Sequence, residues 1–256
     1  TFLEYLNLEH NNIAYISNLD FGQHNAITTL KISNNPITCL DDLQSQLLPK
    51  LAFFDATSTS LTSFPCKMFN DNIEIILISG SSFTNMQCNL HNLTSLVTLK
   101  MTCGKLQHIP KLENMKKLKM LDLTKNEIAE WISNTSIQAN NTLTEILLTE
   151  NHIQNLKPEA LTNLEHVEKL DISKNKLTDI TAFASLPGNY GLKELHLQSN
   201  LITFIPENIF GKLPSLEFFN AFSNRISSLS SISGANLTHS LKTLDLHDNL
   251  IPSIPS

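Results

Sequence analysis

Hydrophobic residues recur along the chain in a pattern that joins a tight alternation to a looser apolar spacing. The tract from Leu192 to Leu216, LKELHLQSNLITFIPENIFGKLPSL, shows it most clearly. Written as L-x-x-L-x-L-x-x-N-x-I-x-x-I, the motif starts at Leu3, Ile27, Leu51, Ile73, Leu96, Leu118, Leu143, Val167, Leu192, Leu216 and Leu241, at intervals of 22 to 25 residues. Its x-L-x-L-x segment alternates with the period of a strand buried on one face. In the fifth copy this predicts Leu99 and Met101 inward, with Thr98, Lys100 and Thr102 outward. Stacked at the ~4.8 Å strand spacing, the copies predict a parallel sheet about 50 Å long. The second half of each copy returns along the outside, so the expected coil curves with its strands on the concave face. No linker or composition shift interrupts the series, which predicts a single domain over residues 1–256 of about eleven repeats.

The polar position of the motif has its own task. After the strand the backbone turns inward, burying amide and carbonyl groups that have no ladder partner. An asparagine side chain offers both donor and acceptor and can bridge its own turn and the neighbouring one. Asn11, Asn35, Asn126, Asn151, Asn175, Asn200, Asn224 and Asn249 occupy this position, whereas Thr59, Ser81 and Gly104 stand there in repeats three to five. Each lost bridge is expected to cost about 1–3 kcal/mol, so the three successive exceptions predict a local break, weakest at Gly104.

Repetition at this period resembles the leucine-rich repeat. The resemblance implies an α/β solenoid shaped as a curved horseshoe. Its parallel sheet lines the concave face, and irregular or short helical turns form the convex face. Phenylalanines at Phe21, Phe69 and Phe210 and prolines at Pro65, Pro110, Pro206 and Pro255 give an outer half of the form x-x-I-P-x-x-x-F-x-x-L. That form resembles the repeat class of animal extracellular proteins, among them Toll and Toll-like receptors, adhesion receptors and matrix proteoglycans. A lapse of the asparagine ladder in mid-solenoid is similar to that of lipid-sensing Toll-like receptors. The resemblance implies an extracellular or secreted location, or an endosomal lumen, and a ligand whose contact juxtaposes two ectodomains.

Composition narrows the remaining possibilities. With 41% hydrophobic and 16% charged residues the chain can bury a large core. A net charge of −6 gives no global basic footprint, and Lys31, Lys100 and Lys169 form no continuous stripe, so nucleic acid is a disfavoured partner. No apolar run reaches the roughly 20 residues of a membrane span. Members of such families close their ends with cysteine-rich caps. This chain begins inside a strand and stops partway through a repeat, so it is expected to be an uncapped piece of a longer ectodomain.

No catalytic or metal-binding constellation stands out among the nine histidines, which lack zinc-site spacing. The GKLPSL at Gly211 lacks the glycine-rich loop of a phosphate site. The expectation is therefore a binding module without enzyme activity, cofactor or metal. Cys66 and Cys88 share position 16 of adjacent repeats, which suits a disulfide or two thiols packed on the outer wall. Asn92, Asn134, Asn140 and Asn236 open glycosylation sequons, all in outer halves.

Outward strand positions supply the candidate contact surface. Phe53, Ile75, Leu77 and Val97, beside Lys100, form an apolar island at the ladder break, and Phe218 with Phe222 forms a second. Exposed apolar clusters mark contact surfaces. Mixed charge on the other columns suits a protein partner better than a polyanion, and the resemblance implies a protein or lipid-bearing ligand on the concave or lateral face, with receptor dimerisation as a consequence. His196 and His247 face the same surface and are candidates for titration at endosomal pH. A leucine-rich adhesion or matrix protein, and a solenoid inhibitor of an enzyme, are the alternative functions.

Overall fold

Each predicted strand start carries a short strand in a computed structural model of the chain. The structure describes residues 2–17, 21, 26–86, 90, 93–112, 115–131, 137, 141–186, 191–229 and 240–253. Two compact units, Thr1–Glu127 and Ile128–Ser256, divide the chain.

In the first unit β1 (Tyr5–Asn7), β2 (Thr29–Lys31), β3 (Phe53–Ala56), β4 (Ile75–Ser79), β5 (Thr98–Thr102) and β6 (Met120–Asp122) pair in sequence order, all parallel. In the second, β7 (Glu130–Trp131) pairs with β9 (Asn155–Leu156) in a two-stranded sheet. There β8 (Glu145–Leu147), β10 (Lys169–Asp171), β11 (Glu194–His196), β12 (Phe218–Asn220) and β13 (Thr243–Asp245) form the parallel series. Helix is sparse among the described residues. It includes four-residue α-helices at Thr181–Ala184 and Ile209–Lys212 and 3-10 turns at Cys66–Met68 and Pro158–Leu161. Thus the expected parallel sheet with short helical turns is observed within each unit.

Inward leucines explain why such short strands persist. Leu30, Phe54, Ile76, Leu99 and Leu121 in the first unit, and Ile146, Leu170, Leu195 and Phe219 in the second, are all about fully buried. Burying such a side chain is worth about 1.5–3 kcal/mol relative to leaving it in water. A three-residue strand alone cannot supply this; a neighbouring coil on each side can. Return segments complete the core with aromatics. The Phe69 ring meets Phe54 edge-on at 5.3 Å and Phe64 at 5.6 Å, and Phe210 meets Phe219 at 5.3 Å.

The turn after each strand follows one backbone solution. The residue just before the ladder position adopts positive φ in every repeat: His10, Asn34, Ser58, Gly80, Cys103, Lys125, Glu150, Lys174, Ser199, Ser223 and Asp248. For residues with a Cβ this conformation costs roughly 1–2 kcal/mol, and only Gly80 escapes the cost. Hydrogen bonds repay it. The N–H of Lys174 donates to the carbonyl of Gln198 at 2.8 Å, and that of Ser199 to Phe222 at 2.9 Å.

The asparagines then close the turn as expected. Asn175 donates Nδ2 to the Ile172 carbonyl of its own turn and to Leu148 of the preceding one, at 3.0 and 2.9 Å, while its Oδ1 accepts the Ile153 N–H at 2.9 Å. Asn35, Asn126, Asn200, Asn224 and Asn249 repeat this set. Asn151 accepts from Ile128 and donates to Leu148. Among the described residues Asn11 bonds within its own turn, to Leu8 and Glu9.

At the three exceptions the bridges are missing, and strand pairing changes with them. Thr59 donates to Ala56 of its own turn at 2.7 Å, and Ser81 makes no side-chain hydrogen bond among the described residues. Strands β4 and β5 are the longest of either unit, five residues each, and pair over all five, from Ile75 with Thr98 to Ser79 with Thr102. Backbone ladder thus replaces part of what the side chains no longer supply. Gly104 is not a void. A Cβ built there would lie 2.8 Å from Asn126 Oδ1 and 3.3 Å from the Ser81 carbonyl. The Asn126 carboxamide closes over the glycine to reach Met101 and the Leu106 N–H, at 2.7 and 3.1 Å. Glycine at this position permits that close approach.

These arrangements set two outcomes in urea unfolding. Asn175→Ala strands buried backbone groups and should cost about 1–3 kcal/mol, while Ser81→Ala, which breaks no bond, should change stability by less than about 0.5 kcal/mol. Gly104→Asn restores the motif yet should destabilise, by about 1–3 kcal/mol through overpacking against Asn126; a rise in the unfolding midpoint would contradict the close-approach account.

Candidate partner-binding face

The outward side chains of the strands form three columns, and the pairing register decides which residues share one. In the first unit the first column runs Phe53, Ile75, Thr98, Met120, and the second Asp55, Leu77, Lys100, Asp122. Phe53, Ile75 and Leu77 therefore come together as expected, each half-buried by its neighbours. Val97 does not join them. Two residues separate Leu96 from Leu99, and only Thr98, next to Leu99, enters the strand opposite Ile75. Val97 sits at the strand entry, donating its N–H to the Glu74 carbonyl at 2.8 Å. Counting outward positions from the repeat start instead of from the strand leucine misplaces it by one residue. Lys31 lies 5.8 Å from the centre of the Phe53 ring and bounds the island on one side; Lys100 follows Leu77 in the second column.

Much of the mixed charge seen along these columns is structural. Asp55, Asp122, Asp171 and Asp245 each accept the N–H two residues on, at 2.9 to 3.2 Å, and Asn7 and Asn220 do the same. These are Asx turns, which cap the strand end before the inward turn. The lysines are paired too: Lys31 with Glu9 at 3.9 Å, Lys100 with Asp122 at 3.9 Å and Lys169 with Glu145 at 3.3 Å. Partly exposed pairs at 3.3 to 3.9 Å are worth on the order of 0–1 kcal/mol. Glu9 is held below the ordinary carboxylate range mainly by the Ser33 hydroxyl, which donates to it at 2.6 Å. An alternation of signs in the sequence was enough to see mixed charge; the recurrence of Asp or Asn at the strand end, two residues before the N–H it accepts, was the signal for its structural share.

In the second unit the structure does not place Phe218 and Phe222 against one another. Each packs on a histidine of a neighbouring repeat. His196 lies 5.0 Å from Phe218 between ring centres, and Phe222 stacks on His247 at 4.4 Å with planes only 13° apart. The histidines in turn hold carboxylates: His196 Nε2 is 3.2 Å from Glu194 and His247 Nδ1 is 2.6 Å from Asp245. The His247 side chain, followed by its backbone N–H and its charge, keeps the Asp245 carboxyl below its ordinary range. The result is a ledge of two separate ring pairs, each beside a carboxylate, which residue-by-residue inspection of the columns had reduced to two phenylalanines.

Away from the strands, Cys66 is disulfide-bonded and Cys39 and Cys103 carry free thiols. Cys88, its expected mate, lies outside the described residues, as do the sequon asparagines Asn92, Asn134, Asn140 and Asn236. A cavity of about 590 Å³ opens beside Cys66, lined by Asp41, Ser63, Lys67, Thr84 and Asn85 among others. The sequence carried no signal for it. Among the described residues no cluster of histidine, cysteine and carboxylate suits a metal ion, and no helix is long and apolar enough to cross a membrane.

Comparison with known proteins fits this geometry. Residues 141–188 match a family model described as leucine rich repeat. Curated proteins give no significant sequence match. Among solved structures, a leucine-rich-repeat protein of Leptospira interrogans superposes with a TM-score of 0.81 at 22% identity, over 99% of this chain and 62% of that one. The receptor TLR13, solved in complex with ssRNA13, gives 0.76 at 20% identity, over 99% of this chain and 37% of that one. An octameric complex of latrophilin 3, Unc5D and the FLRT2 leucine-rich repeats gives 0.68 at 22%, over 88% and 76%. This chain spans less than two thirds of the length of the first two. Its fold is that of the leucine-rich repeat, a scaffold that typically presents a binding surface instead of a catalytic site.

The carboxylate of Asp245 offers a check on the ledge. A depressed pKa contributes stability at neutral pH that is lost as the group takes up a proton on acidification. In His247→Phe, which keeps the stack on Phe222, the Asp245 titration followed by carboxyl-carbon NMR should shift up towards its ordinary value. An unchanged midpoint would show that the imidazole does not hold the carboxylate.

Proposed function

We propose that the chain is a recognition module from the ectodomain of a Toll-like receptor, binding a protein or lipid-bearing ligand through the outward face of its strands. The observation that carries the reading is the apolar surface of Phe53, Ile75 and Leu77 on paired strands, where a solvent-facing column would otherwise be polar. It coincides with the lapse of the asparagine ladder at Thr59, Ser81 and Gly104. Contact there draws two ectodomains together, and signalling domains elsewhere in the receptor respond. Such a receptor faces the extracellular space or an endosomal lumen, where sugars at Asn92, Asn134, Asn140 and Asn236 and a Cys66–Cys88 bridge belong. Ion pairing of Lys31, Lys100 and Lys169 supports a partner other than nucleic acid.

A second reading, an adhesion or matrix protein that binds another surface protein, is favoured by the likeness to the FLRT2 repeats seen in complex with latrophilin 3 and Unc5D. The reading frame that encodes the chain separates the two. The receptor reading requires a membrane span followed by a signalling domain downstream of Ser256; a short cysteine cap followed directly by a stop codon would refute it in favour of the second.

A further inference from the structure

Outward charge is distributed unevenly along the strands. Lysines face out from β2, β5 and β10, but none, and no arginine, faces out from β11, β12 or β13. There the ledge consists of the carboxylates of Glu194 and Asp245 around the rings of His196, Phe218, Phe222 and His247. Lys169 of β10 stands opposite Glu194 in the register but pairs with Glu145 at 3.3 Å, and Lys193 and Lys242 lie at strand entries, paired with Glu168 and Glu217 at 3.0 and 2.7 Å. Asp248, 74% exposed in its side chain, adds a third carboxylate 3.8 Å from His247.

The ledge remains accessible. Side chains of Glu194 and His247 are 47% and 56% exposed, and that of Asp245 33%. Flat rings beside carboxylates call for a planar cationic group that carries donors only. Guanidinium meets these demands: it stacks on aromatic faces, pairs with carboxylates through two parallel N–H groups and accepts nothing. An ammonium is a point charge that uses the rings less well, and a polyanion is repelled.

Resting on the reading of the strand face as a protein-binding surface, we infer that this ledge docks an arginine-bearing basic segment of the partner protein. Guanidinium lies against Phe218 or Phe222 and bonds Glu194 or Asp245. The histidines hold the carboxylates in place until the arginine arrives.

Fluorescence anisotropy with the whole chain and a labelled peptide of alternating glycine and arginine tests the proposal. Peptides with lysine or glutamate in place of arginine provide the comparison. The arginine peptide should bind more tightly than the lysine peptide, and the glutamate peptide should not bind. Glu194→Gln with Asp245→Asn, which keeps the Asx acceptor, should weaken arginine binding about tenfold or more. Glu127→Gln with Glu207→Gln, which removes the same charge elsewhere, should leave it within about twofold. Phe222→Leu keeps bulk without the aromatic face and should narrow the gap between arginine and lysine. Equal binding of the arginine and lysine peptides, or equal losses in the two charge variants, would overturn the assignment. So would loss of binding in Phe53→Asp with Ile75→Asp, which lies in the first unit. Because the downstream reading frame is read without these peptides, their failure removes the ledge's ligand and leaves the receptor reading to its own test.

Discussion

A backbone that turns inward after every strand must bury amide and carbonyl groups, and the rest of this structure depends on how those groups are satisfied. Asparagine at the turn does so with one side chain: Asn175 bonds Ile172 in its own coil and Leu148 and Ile153 in the preceding one. The bond across coils matters most, because it ties each three-residue strand to its neighbour beyond the sheet itself. The positive-φ residue before it, such as Lys174, is tolerated only because its N–H reaches the next coil. Strand, strained turn and ladder therefore form one cooperative device, repeated along the chain.

Where the ladder lapses, the device is rebuilt instead of abandoned. Five-residue strands β4 and β5 extend the backbone pairing through Ser79 and Thr102. Asn126 closes over Gly104, whose missing Cβ makes the approach feasible. Freed from a strict closing residue, repeats three and four also present apolar outward side chains, Phe53, Ile75 and Leu77. Longer pairing offers a continuous surface on which a partner can rest, and this connects a change in turn chemistry to the proposed site.

Charge on the strand face divides into two kinds. Aspartates at the second outward position are committed to Asx turns, and most lysines are committed to a neighbouring acid. Neither kind argues for a particular ligand. On the last strands Glu194 lies beside the His196 ring, and Asp245, besides its Asx bond, lies beside the His247 ring; each of these histidines packs on a phenylalanine. That difference, and not the sum of charges, gives the arginine proposal its basis.

The leucine period read from the sequence determined the strands, their inward faces, the parallel stacking and the ladder positions, because each follows from spacing within one repeat. It also located Phe53, Ile75 and Leu77, whose outward direction follows from alternation alone. Spacing could not say that Val97 lies before its strand, since the repeat start and the strand start differ by residues that carry no periodic signal. Nor could it show that Gly104 is needed for close approach, that Phe222 stacks on His247, or that Asp55 and Asp122 cap turns. Those relations join residues one coil apart, or a side chain to a backbone N–H, and only the tertiary structure decided them, because the distance between coils is set by packing and not by position in the chain.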